Sequence, residues 1–281
     1  MAITPLKILQ ACDTRWLSIY TAVNRILALW EALKEVLAKA QRENCYTAMI
    51  LFEMFNDTTK KCYMLLLDWV LVKAQRVNKA YQADKQDPTK LFEDLLALVK
   101  SMAAKVSLPT SRYDVFSVNI EEHLDPAPYF GHRFATTVRD GGLPEQAERG
   151  LRLRSRRFIV ELFCQLRQRL PENIQLLQKA SAMSVDNALK TVQEPIGQLA
   201  STFLSDEGVS ACETQWRNLR HVKWCSTKST EEFWAEVRSY KDAQGENPFA
   251  ELSSLALTVL SLPLSNAGVE RCFSDMNVVK S

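Results

Sequence analysis

The chain has 281 residues, 47% hydrophobic and 24% charged, which is long enough and apolar enough to bury a core as one large domain or two modest ones. A formal net charge of +2 gives no chain-wide signal for nucleic acid, so any basic footprint must be local. The first thirty residues hold no basic segment followed by an apolar block, and the longest apolar run, residues 64–72, is interrupted by Asp68, which excludes a secretory leader there and a bilayer span.

Only 8 Gly and 10 Pro are spread along the sequence, favouring long helices over strands joined by tight turns. Taken in chain order, Asp13 is a candidate N-cap. Behind it Trp16, Tyr20, Val23, Leu27, Trp30, Leu33 and Leu37 recur every three or four residues as one apolar stripe. Residues 48–77 are apolar on more than one face and predict a central, well-buried helix. Leu91, Leu95, Leu98, Val99, Met102 and Val106 give a third helix, ended by Pro109.

Residues 110–148 break the pattern. Phe116, Val118 and Ile120 alternate with polar residues as in one short strand, and a loop-rich passage rich in Pro and Gly follows. Helical spacing returns over residues 149–170, with Leu151, Phe158, Leu162, Phe163 and Leu166 as its buried side. Pro171 precedes a further helix from Ile174 to about Ala182. Residues 185–204 read as helical with a break at Pro195–Gly197, and Trp216, Leu219 and Val222 have helical spacing. Ser229 and Glu232 form a capping box for a helix carrying Phe233, Trp234, Val237 and Tyr240. Asn247-Pro248 opens the next helix in the same way, with asparagine as cap.

Chemistry-bearing residues are sparse. The seven cysteines form no CxxC pair, as expected of reduced thiols in the cytosol or nucleus. Cys212, His221 and Cys225 lack a fourth ligand and zinc-like spacing, and no phosphate loop or nucleophile elbow is present, so neither metal nor cofactor is expected. Arg149, Arg152, Arg154, Arg156 and Arg157 are the densest basic cluster; they suit a phosphate backbone or equally the wet side of a helix. Near the C-terminus, Leu252, Leu255, Leu257, Val259, Leu260, Leu262, Leu264, Val269 and Phe273 are too many for two short helices to bury against each other. They must cover other parts of the chain, another subunit, or both.

Two blocks resemble hAT-type transposases. Residues 12–20, containing Thr14-Arg15-Trp16, look like the start of that family's helical insertion. Residues 249–274 look like its C-terminal dimerisation region, with a leucine-rich helix, the Leu262-Pro263 break, and Glu270-Arg271 followed by Phe273-Ser274. Val269 stands where serine is usual in the family. The resemblance implies a remnant of a ribonuclease-H-like transposase that is mostly α, with an insertion-like domain at 1–228 and a dimerisation block at 229–281. It aligns Glu270 with the third of three metal-binding carboxylates and places the other two upstream of Thr14, where this sequence has no counterpart. It also implies that Trp16 lies beside DNA, although a large aromatic at helical spacing equally reads as core. The expectation is therefore a non-catalytic nuclear protein that dimerises with itself or a related chain. A nucleic-acid-associated regulator is the alternative, and a metal-dependent transposase ranks third.

Overall fold

The computed structural model describes residues 16–82, 87–168, 170 and 174–262. Among them the fold is mostly α, with no strand and one isolated bridge between Ser107 and Leu124. The chain divides into two compact units, one from residues 1–76 and 98–169, the other from residues 77–97 and 170–281.

The first unit begins with α1 (Trp16–Ala28) and α2 (Trp30–Arg42), where one helix was expected. Leu29, at φ −100° and ψ 11°, interrupts the helical geometry, but hydrogen bonds from Leu29 N to Arg25 O and from Leu33 N to Leu29 O carry the stripe across the break. Val23, Leu27 and Trp30 are accordingly buried. The helix expected over residues 48–77 is also two, α3 (Tyr46–Asn56) and α4 (Thr58–Gln82). Asp57 separates them: its carboxylate accepts from Thr59 N at 2.8 Å and Thr59 Oγ1 at 2.6 Å, a local ring that competes with the helix. Trp30 packs on Phe55 at 4.4 Å between ring centroids, with Lys61 Nζ above its ring and paired to Glu31 at 2.8 Å.

The expected strand at 116–120 is a turn. Asp114 accepts from Phe116 N and Ser117 Oγ; burial still alternates, with Val118 and Ile120 buried and Ser117 and Asn119 exposed, but on a turn that also buries Val115 and not on a strand. The loop-rich passage contains a helix, α6 (His132–Asp140). Gly131 precedes it at φ 114°, a conformation that disfavours L side chains, and a Cβ at Gly141 would come within 2.4 Å of Thr58 Cγ2 at the start of α4.

Helix α7 (Glu145–Gln168) buries Leu151, Ser155, Ile159, Val160 and Phe163. This face is rotated from the expected one, because Phe158 points outward at 45% exposure while Leu162 and Leu166 are half-buried. Ser155 Oγ is fully buried with no hydrogen-bond partner. Ser155→Ala removes a stranded hydroxyl at little change of volume, so denaturant unfolding should show stability unchanged or raised by up to about 1 kcal/mol. A loss above that would mean the hydroxyl is satisfied in solution.

The second unit contains the N-terminal half of α5 (Pro88–Val106), then α8 (Ile174–Ala180), a 3-10 turn at Ser181–Met183, and the short α9 (Val185–Ala188) and α10 (Gly197–Ala200). Among the described residues it continues with α11 (Asp206–Leu219), α12 (Thr230–Ser239) and α13 (Ala250–Leu260). The core is built around tryptophans whose indole N–H groups all find backbone acceptors: Trp216 to Glu194 O, Trp224 to Leu219 O and Trp234 to Met183 O, at 2.8–2.9 Å. Trp224 lies edge-on to Phe233, Tyr240 and Phe249. Ser229 caps α12 by accepting from Glu232 N. Asp87 does the same at the head of α5, accepting from Thr89 N and Thr89 Oγ1, and it also accepts from Thr230 Oγ1 at 2.7 Å.

Candidate functional site

The leucine block starts from a fixed point. Asn247 Oδ1 accepts from Phe249 N at 2.8 Å while its amide donates to Val237 O and Arg238 O, anchoring the chain to the end of α12. The cap therefore acts one turn before α13 begins at Ala250. Gln215 on α11 reaches across, its Oε1 accepting from Leu252 N at 2.9 Å and its amide donating to Glu251. With this register Leu252, Leu255 and Val259 face inward and are fully buried in the unit's own core. Leu257, Leu260 and Leu262 are left half-buried, the first two at the edge of that core. Leu264, Val269, Phe273 and Glu270 lie outside the described residues.

The five arginines lie between residues 149 and 157 of α7, where the geometry divides them. Arg149 pairs with Glu145 at 2.5 Å and Arg152 with Glu148 at 2.7 Å, both one turn back, and Arg156 donates to Asp125 O at 3.2 Å. Arg154 and Arg157 are exposed and make no ion pair among the described residues. They sit beside exposed Leu153 and Phe158, so the free part of the cluster is a small mixed basic and apolar patch. Trp16 opens α1, and its side chain lies outside the described residues.

A larger apolar surface lies where the sequence predicted burial. Of the eleven residues of α3 only Ala48 is buried. Tyr46, Met49, Ile50, Leu51 and Met54 are 38–71% exposed, and Val36 on α2 is 64% exposed. A helix apolar on all sides normally reads as buried, so composition alone gave no sign of this exposure.

Cys62 and Cys212 are buried, and burial pushes both thiols up to about 11, away from reactivity at neutral pH. Cys225, by contrast, is exposed, and its backbone N–H donates to Glu236, whose carboxylate is held below its usual range by that bond and one from Ser226. Among the described residues no three His, Cys, Asp or Glu side chains come together as a metal site, and no helix is long and apolar enough to cross a membrane. The chain matches no known family profile, and no curated protein or solved structure is significantly similar to it.

Proposed function

We propose that the chain is a non-catalytic, transposase-derived protein that associates with a second copy of itself, or with a related chain, through its C-terminal leucine block. The supporting observation is the division of labour on α13. Leu252, Leu255 and Val259 complete the internal core, while Leu257, Leu260 and Leu262 keep apolar surface in water just before further apolar residues in the sequence. The division into an insertion-like part, residues 1–228, and an association block, residues 229–281, belongs to the same proposal, as do the ribonuclease-H-like ancestry and a nuclear location. The non-catalytic part rests on the resemblance alone, in which Glu270 answers to one of three metal-binding carboxylates.

Helix α3 offers the same kind of partner a second surface. It carries one charge, Glu53, and Arg42 ends the neighbouring α2. Two copies packed antiparallel along α3 would bring each Glu53 toward the other's Arg42, a self-complementary arrangement.

Sedimentation equilibrium separates the two surfaces. Leu257→Glu with Leu260→Glu should weaken the dimer at least tenfold, about 1.4 kcal/mol, with helix content retained. Ile50→Glu with Met54→Glu should do so only if α3 is the contact. If both pairs leave the dimer intact, neither surface holds it.

The nucleic-acid reading has one observation of its own, the unpaired Arg154 and Arg157 beside Phe158 on α7.

A further inference from the structure

A second cationic surface in the first unit, away from the α7 arginines in sequence, draws on three segments. On α4, Trp69, Val72, Lys73 and Arg76 fall at spacings of three and four and so share one side of the helix. Lys73 Nζ lies 5.2 Å from the Trp69 ring centroid. From α5, Lys105 Nζ reaches the same ring at 4.6 Å and the Tyr129 ring at 6.0 Å. Arg133, near the start of α6, lines a cleft of about 440 Å³ together with Trp69, Lys73 and Phe130.

Of these cations Lys73, Lys105 and Arg133 are poorly neutralised. Asp68 is the carboxylate in the cleft; Arg133 approaches it only to 3.9 Å, and it accepts from Asn24 as well. Lys73 and Lys105 make no ion pair among the described residues and rest on Trp69 instead, which fixes their stems without cancelling charge. Lys105 is half-buried, and burial together with the nearby Lys73 lowers its proton affinity, so a bound anion would offset the repulsion and favour its charged form. Tyr129 is 62% exposed, leaving ring surface open at the rim.

We propose that this cleft and the Lys105–Tyr129 surface adjoining it bind single-stranded nucleic acid, with Lys73, Lys105 and Arg133 on the phosphates and the Tyr129 ring stacked on an unpaired base. The chemistry favours a single strand over a duplex. Phosphates alone would satisfy the cations, but an aromatic at the rim of a cleft this small is useful only to a base freed from its stack. The site is independent of self-association.

Fluorescence anisotropy with a labelled oligo-dT strand tests it on the full chain. Affinity should fall with salt at a log–log slope of roughly −2, as three phosphate contacts require. Lys73→Ala with Lys105→Ala should make that slope shallower by about 1.4, and Lys105→Arg should retain binding. Tyr129→Ala should weaken binding at least about fivefold with the slope unchanged, and its exposed ring keeps the test valid even if the lysine pair melts early. No binding at low salt overturns the proposal. So does tighter binding to duplex DNA or anionic vesicles, or loss of binding only when the five α7 arginines become alanine.

Discussion

Trp234→Ala is expected to remove about 4 kcal/mol from the second unit, enough to unfold much of it at physiological temperature. The side chain is fully buried, packs edge-on to Phe233 at 5.1 Å, and donates its indole N–H to Met183 O at 2.8 Å. Truncating a buried aromatic costs about 3–5 kcal/mol through lost burial and the residual cavity. The carbonyl of Met183, itself fully buried, loses its donor as well, at about 1 kcal/mol or more. Since whole domains are stable by only about 5–15 kcal/mol, the change should be plain in urea unfolding followed by circular dichroism. Trp234→Phe keeps most of the ring and drops the donor, so it should lose roughly half as much. An alanine variant within about 1 kcal/mol of the parent would mean that this core is not packed as described.

Asp87→Ala should rank second, at about 3 kcal/mol. One carboxylate does two tasks there: it caps α5 through Thr89 N and Oγ1, and it ties Thr230 at the head of α12 to a residue 143 positions earlier. Losing an N-cap costs about 1–2 kcal/mol. Thr89 is fully buried, so its orphaned hydroxyl adds a desolvation penalty. The Lys90 contact, at 3.9 Å with the lysine half in water, adds little. Asp87→Asn keeps an acceptor oxygen and should recover most of the loss. If the asparagine variant is as weak as the alanine one, the charge at the helix terminus matters more than the hydrogen bonds.

Asp87 also marks the limit of what the sequence made legible. Asp-Pro-Thr at 87–89 is an N-cap with proline at the first helical position, the same signal that Asn247-Pro248 carries, yet the apolar spacing that draws the eye begins only at Leu91. The N-cap at Ser229 and the helical character of most of the chain were readable because caps and 3.6-residue periods are local properties; of the expected capping box only the half from Ser229 forms. Helix α6 was hidden because Phe134 and Val138 are its only buried residues and glycines flank it, so it resembles a loop. The break at Leu29 was invisible for the opposite reason, since the apolar pattern runs straight through it, whereas the polar run at residues 56–61 did mark the break at Asp57.

The candidate sites were legible to different degrees. Periodicity marked the leucines of α13 as apolar but could not divide Leu252 and Leu255, which the core consumes, from Leu257 and Leu260 at its edge. That division depends on how α11 and α12 pack. The arginines of α7 were visible as a cluster, but only geometry separates Arg149 and Arg152, paired within the helix, from Arg154 and Arg157. The Trp69 cleft has no local signature, because its parts come from residues 69–76, 105 and 129–133 and meet only in the fold.

Light scattering on the intact chain as it leaves a size-exclusion column, at micromolar concentration and near-physiological salt, tests self-association most directly. The expected result is a single species at twice the chain mass, shifting toward monomer on dilution. A monomer that persists as the concentration is raised to hundreds of micromolar would contradict it.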